Sequence, residues 1–229
     1  MLHAIIFDFN GVIADDETAH FVCFQRALRA HGLSLTQEEY YGDYLGMDER
    51  TCVAALIRGH HGHDDAALAN AIHAEKARLF QLEFATMPPP LFPGVVDFVR
   101  AAGERYRLAI ASGGRCAQIE RALRGTPIEQ AFLVTVSCED APVGKPDPLI
   151  YRTTLQRLND ATPRPVSAIR ASDCLVIEDS LAGIQSGHAA GMTVLALATT
   201  YPEKWLTEAD LVLPSLDGLS PNSLERLFF

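Results

Sequence analysis

Short apolar runs bounded by polar or turn-forming residues recur along the chain. They are HAIIFDF (residues 3–9), RLAIAS (107–112), LVTV (133–136), CLVIE (174–178), TVLAL (193–197) and DLVL (210–213). Near-continuous apolar runs of this length, rather than strict apolar and polar alternation, predict parallel strands buried on both faces. Between them, the helical spacing of apolar positions predicts helices over residues 94–102, 116–124, 149–158 and 180–190. Strands alternating with helices in this way predict an α/β fold built on an open, Rossmann-like parallel sheet.

Residues 16–87 break the rhythm. They carry only helical patterns, in HFVCFQRALRAHG (20–32), TCVAALIRG (51–59) and DDAALANAIHAEKARLFQLEF (64–84), with Gly32 and Gly59 as expected helix stops. PPPLFPG (88–94) then reads as a stiff return linker. The expected organisation is an α/β core of residues 1–15 and 88–229, interrupted after its first strand by an all-helical domain of residues 16–87.

Composition adds limits. A chain of 229 residues with 48% hydrophobic and 21% charged positions can bury a core without disulfides. The net charge of −10, with no basic run, argues against a nucleic-acid partner or an anionic membrane surface. No apolar stretch approaches the ~18 residues of a membrane span, and the first residues lack the charged and small-residue features of a secretory leader. The five cysteines, Cys23, Cys52, Cys116, Cys138 and Cys174, are scattered and never spaced C-x-x-C, so they read as small buried residues. A soluble, cytoplasmic protein is expected.

In open parallel sheets, ligands bind beyond the carboxyl ends of the strands, where the winding reverses. The residues that follow the strands therefore carry the chemistry: Asp8, Asn10 and Gly11, then Ser112, Gly113 and Gly114, then Glu178, Asp179 and Ser180. Lys145 stands in the loop VGKPDP ahead of a helix. Carboxylates for a hard cation, a lysine for transferring oxygens and hydroxyl and backbone donors make up an inventory for phosphoryl chemistry. The tract RGHHGHDD, with His60, His61 and His63, reads as an exposed loop between helices rather than a metal site, and Gly183, Gly187 and Gly191 as a stripe for close packing on the sheet.

Four segments in order, DFNGVI (8–13), ASGG (111–114), GKPDP (144–148) and VIEDSLAGIQSGHAAGM (176–192), resemble motifs one to four of the haloacid dehalogenase superfamily. The helical insertion sits where that family carries its cap domain. Asp15, Asp16 and His20 after the first motif, and LGMDER (45–50), are similar to the subgroup of β-phosphoglucomutase and phosphoglycolate phosphatase. The resemblance implies Asp8 as nucleophile, forming an aspartyl-phosphate, with its second oxygen on Mg²⁺. It implies Ser112, Gly113 and Gly114 as donors to the phosphoryl group, and Lys145 as partner of that group and of Asp8. Asp179 and Glu178, with Asn10 through its backbone carbonyl, would complete the metal shell. Gly11, Asp16, His20 and Arg50 would face a small phosphorylated metabolite.

One position departs from the family. Its phosphatases read D-x-D, the second aspartate passing protons to the leaving group and from the attacking water. Here that residue is Asn10, which predicts a slow phosphatase unless Asp15, Asp16 or His20 takes over. Dehalogenases carry an aromatic residue there and phosphonatases an alanine, and the insertion's single lysine, Lys76, lies mid-helix, so neither chemistry is favoured. A sugar-phosphate mutase, and a catalytically weak phosphate-binding or regulatory homologue, are the alternatives. Whether the chain is a monomer or a homodimer is open at this level.

Overall fold

The computed structural model describes residues 1–44, 49–84 and 88–228. Six strands, β1 (Ala4–Phe7), β2 (Arg107–Ala111), β3 (Val134–Val136), β4 (Cys174–Glu178), β5 (Thr193–Leu197) and β6 (Leu211–Leu213), form one sheet. Every pairing is parallel, in the order β3-β2-β1-β4-β5-β6. The α/β class and the Rossmann-like sheet expected from the apolar runs are therefore present, with each strand within one or two residues of its sequence signal. β1 and β4 are buried along their whole length, as strands covered on both faces must be.

The chain divides into two compact units, Met1–Asp15 with Pro90–Phe229, and Asp16–Pro89. In the second unit lie α1 (Glu17–Ala30), the single turn α2 (Gln37–Glu39) running into a π-helical turn (Tyr40–Tyr44), α3 (Glu49–His61) and α4 (Ala66–Glu83). Among its described residues none is in a strand. α1 and α4 pair along their length, stacking the His20 ring on Phe80 at 4.2 Å and setting the buried Lys76 ammonium over the Phe24 ring. Asp65 caps α4 by accepting from the Leu68 amide at 2.9 Å.

One sequence expectation needs correcting here. Gly59 does not stop α3. The helix runs on to His61, and Gly62, at φ +76°, takes the left-handed position that ends it, its amide donating to the Arg58 carbonyl. His60 and His61 therefore stand in the last helical turn rather than in a loop. They are exposed, as is His63, and His60 Nε2 lies 3.0 Å from the Ser34 carbonyl.

In the first unit, α5 (Val95–Gly103) and α7 (Leu149–Asp160) pack on β2, and α8 (Leu181–Ala189) packs on β4 and β5. α6 (Cys116–Leu123) follows β2, and α9 (Pro221–Phe228) meets α5. The core gathers Phe7, Phe98, Val99, Ile110, Ile119, Leu175 and Leu195, with Phe98 and Phe132 edge-on to Phe7. Gly187 packs as the small-residue stripe requires, since a Cβ there would press on Val194 and Val176. The outgoing and returning chains are joined by backbone hydrogen bonds from Asp15 N to Pro90 O at 2.9 Å and from Phe92 N to Ile13 O at 3.0 Å. Ala14 and Leu91 bridge between them.

Candidate active site

With strand order 3-2-1-4-5-6, the winding reverses between β1 and β4, so the loops leaving those two strands diverge and open a crevice. Register fills it. Phe7 is opposite Ile177, and the Asp8 amide donates to the Ile177 carbonyl at 2.9 Å, which sets the Asp8 carboxyl beside those of Glu178 and Asp179. All three are buried, and their nearest oxygens lie within 4.8 Å of one another. Among the described residues this is the one carboxylate, His or Cys cluster with metal-ligand spacing.

Lys145 enters from the loop before α7. Its ammonium donates to Asp8 Oδ1 and to Glu178 Oε1, each at 2.5 Å. Burial works against its charge, but the two carboxylates outweigh burial and hold the ammonium protonated well above its ordinary range. Glu178 is the most enclosed member. Oε1 also accepts from the Tyr151 hydroxyl at 2.8 Å, while Oε2 accepts from the Asp179 amide, the Ser180 amide and the Ser180 hydroxyl at 2.9–3.1 Å. Burial alone would raise its pKa, yet Lys145 and these donors hold it below the usual carboxylate range. Gly183 makes this posture possible, because a Cβ there would overlap the Glu178 carboxyl.

Burial drives the other two carboxyls upward. Asp8 is pushed up to about 7, with the Glu178 charge adding to burial and Lys145 opposing it. Asp179 is raised well above its usual range, by burial first and then by the charges of Glu178 and Asp8. Three buried carboxylates share one ammonium, so the cluster is short of positive charge. An all-oxygen donor set with that deficit suits a hard divalent cation.

Ser112 closes the site from β2. Its amide donates to the Val136 carbonyl at 3.0 Å, its Oγ accepts from the Gly114 amide at 3.0 Å, and its hydroxyl reaches Asn10 Oδ1 at 3.4 Å. The Asn10 carboxamide is thus turned to the Ser112–Gly114 side. Gly113 is exposed at the tip of the same turn. Gly11, at φ +78°, lies flush against Asp179, and any side chain would collide with that carboxyl.

The structure therefore brings Asp8, Asn10, Gly11, Ser112, Gly114, Lys145, Glu178 and Asp179 to one rim. Asp16 and His20 belong to the second unit, where His20 Nε2 lies 3.3 Å from Asp16 Oδ2. Arg50 is exposed in the first turn of α3, and Leu45, Gly46, Met47 and Asp48 lie outside the described residues. Three contributors went unread in the sequence. Thr199 donates to the Gly11 carbonyl at 2.5 Å, Thr200 bonds the Asp179 carboxyl, and Tyr151 holds Glu178. The threonines follow β5 directly, so the rule that chemistry sits after strands pointed to them. Tyr151, inside a helical pattern, carried no such signal.

The haloacid dehalogenase-like hydrolase family model matches residues 2–191. The chain is 30% identical over 192 residues to the phosphorylated carbohydrates phosphatase of Thermotoga maritima, covering 83% of this chain and 82% of that protein. A CbbY variant from Rhodobacter sphaeroides, solved in complex with xylulose-(1,5)bisphosphate, superposes with a TM-score of 0.80 at 27% identity, covering 96% of each chain. β-Phosphoglucomutase from Clostridium difficile superposes with a TM-score of 0.84 at 18% identity over 100% of this chain and 97% of that one, a likeness of fold. Among the described residues, no helix is long and apolar enough to cross a membrane.

Proposed function

Because the chain belongs to the haloacid dehalogenase-like hydrolases, we propose that it is a Mg²⁺-dependent phosphatase of a small phosphorylated sugar or sugar derivative, acting in the cytoplasm through a phosphoryl group carried on Asp8. The observation that carries this reading is the clustering of Asp8, Glu178 and Asp179 at the reversal point of the sheet, with Lys145 paired to Asp8 and Glu178. The choice of a sugar rests on the names of the relatives, the carbohydrate phosphatase and the bisphosphate-bound CbbY.

In this reading the Asp8 carboxylate oxygen attacks phosphorus, the P–O bond to the sugar breaks, and the sugar oxygen takes a proton and leaves. Water then attacks the aspartyl-phosphate, returning the Asp8 carboxylate and releasing inorganic phosphate. Lys145, with two of its three donors aimed at Asp8 and Glu178, offers the third to a phosphoryl oxygen. The Ser112 hydroxyl and the turn of Gly113 and Gly114 supply further donors. Asp8, Asn10, Glu178 and Asp179 would hold Mg²⁺, directly or through water, and the ion supplies charge neutralisation. Asn10 accepts from Ser112 but has no proton to pass, so each half-reaction depends on solvent or on a more distant group. For that reason a phosphate-binding homologue with little turnover is the second reading.

The test is hydrolysis of an aryl phosphate and a panel of sugar phosphates in Mg²⁺ and in EDTA. Turnover that requires Mg²⁺ and favours a phosphorylated sugar supports the proposal. Equal activity in EDTA, or none on any phosphate, overturns it.

The site also predicts how stability follows pH. Asp8 and Asp179 hold protons more tightly folded than unfolded; the Asp8 contribution is complete below about pH 4 and is lost as pH rises through about 7, and that of Asp179 has the same sign. Glu178 has the opposite sign, but its contribution is present above its ordinary value of 4.5 and is lost only as pH falls below that, outside the range from pH 5 to 7.5. In EDTA, wild type should therefore lose about 3–6 °C of thermal midpoint relative to Asp8→Asn between pH 5 and 7.5. Mg²⁺ should restore more at pH 7.5 than at pH 5, because it selects the ionised carboxylates. Midpoints that run parallel for the two proteins in EDTA would contradict the raised Asp8.

A further inference from the structure

Tyr151 is enclosed at the start of α7 and meets the catalytic lysine in two ways. The Lys145 ammonium stands over its ring, 5.2 Å from the centroid, within the range where a cation is drawn to an aromatic face. Its hydroxyl donates to Glu178 Oε1 at 2.8 Å, the same oxygen that accepts from Lys145 at 2.5 Å. The rest of Glu178 is committed as well, since Oε2 receives three donors from the start of α8. Five donors thus meet a carboxylate that offers about four lone-pair sites. A saturated carboxylate is a poor direct ligand and a good fixed anchor.

We propose that Tyr151 is a positioning residue for Lys145. It acts by sharing the Glu178 oxygen that anchors the ammonium and by presenting its ring beneath it, so that Lys145 stays directed at Asp8 and the phosphoryl oxygens. Without the phenol, Glu178 Oε1 has Lys145 as its remaining side-chain donor, and the ammonium is drawn onto it and away from Asp8. The inference rests on the phosphatase reading above and deepens it.

The test measures binding of inorganic phosphate in saturating Mg²⁺, binding of Mg²⁺ alone, and kcat and KM for the best phosphate ester. Tyr151→Phe keeps the ring and the packing but removes the hydroxyl. It should weaken phosphate binding about 3- to 10-fold and lower kcat about tenfold, with Mg²⁺ affinity within about twofold of wild type. Thr154→Val, one turn further along the buried face of α7 and bonded to the Ile150 carbonyl, should change none of these. In a Lys145→Met background, Tyr151→Phe should cost no further phosphate affinity, which a merely structural role would not produce.

Unchanged phosphate binding in Tyr151→Phe, an equal loss in the Lys145→Met background, or a loss confined to Mg²⁺ affinity would each overturn the lysine-positioning role while leaving the phosphatase reading intact. If wild type and Asn10→Asp neither bind phosphate nor hydrolyse any ester, the phosphatase reading fails, and this inference fails with it.

Discussion

Asp8→Asn is expected to remove turnover, with kcat falling by at least ~10⁴-fold, while the protein becomes more stable in EDTA at pH 7.5. The two effects share a cause. The Asp8 carboxylate is buried beside Glu178 and Asp179, and one ammonium cannot balance all three. Its charge costs stability, and in the proposed reaction it supplies the nucleophile. Asparagine keeps the shape and removes both the nucleophilic oxygen and the charge. A residue that serves packing gives the opposite pairing, since truncating it lowers stability and leaves chemistry in proportion to the folded fraction. Rapid quenching after mixing with a labelled phosphate ester should find acid-stable label on wild type and none on Asp8→Asn. A fall in kcat of less than tenfold, or label that persists in the variant, would take the nucleophile's role from Asp8.

Asn10→Asp should move in the other direction, raising kcat by about 10²–10⁴-fold, the contribution of a placed general acid and base. The position is ready for a carboxyl. Oδ1 already meets the Ser112 hydroxyl at 3.4 Å, and Gly114 leaves its side open. A fourth acid in this crevice, already rich in carboxylates and short of positive charge, would hold a proton more firmly than an exposed one, as a group that must donate to a leaving sugar oxygen requires. Single-turnover experiments separate the halves of the reaction. If Asn10 slows breakdown more than formation, wild type accumulates label on Asp8 and Asn10→Asp discharges it. If kcat is already high in wild type and does not rise, the proton is carried elsewhere, and Asp15, Asp16 and His20 are the next positions to replace.

The parallel strands were legible in the sequence because a strand buried on both faces must be apolar along its length, and CLVIE and TVLAL leave little other reading. The rim residues were legible for a related reason, since strand ends at a reversal point converge whatever their side chains. What stayed hidden depends on how a side chain turns after the backbone is set. Glu178 and Asp179 are adjacent in sequence and read as a pair. In the structure Glu178 folds back under α8, into the space left by Gly183, and Asp179 lies against Gly11. Helix α9 carried a start signal in Ser220 and Pro221, but one short amphipathic stretch near the chain end was too brief to stand out. The end of α3 at Gly62 rather than Gly59 turned on which of two nearby glycines reaches positive φ, a choice that spacing alone does not make.

The hydrogen bonds that tie Asp15 to Pro90 and Phe92 to Ile13 give the helical insertion the standing of a pinned loop. In polymer terms its two ends are already closed, and the entropy of closure grows only with the logarithm of length, about 0.6 kcal/mol for each doubling. The sheet is therefore almost indifferent to how much chain leaves at Asp15 and returns at Pro90. A lineage can lengthen, shorten or exchange that excursion at little thermodynamic cost, while the parallel sheet and the loops at its strand ends remain untouched. Freedom in the length of the insertion and constancy in the sheet then fall on opposite sides of two backbone hydrogen bonds.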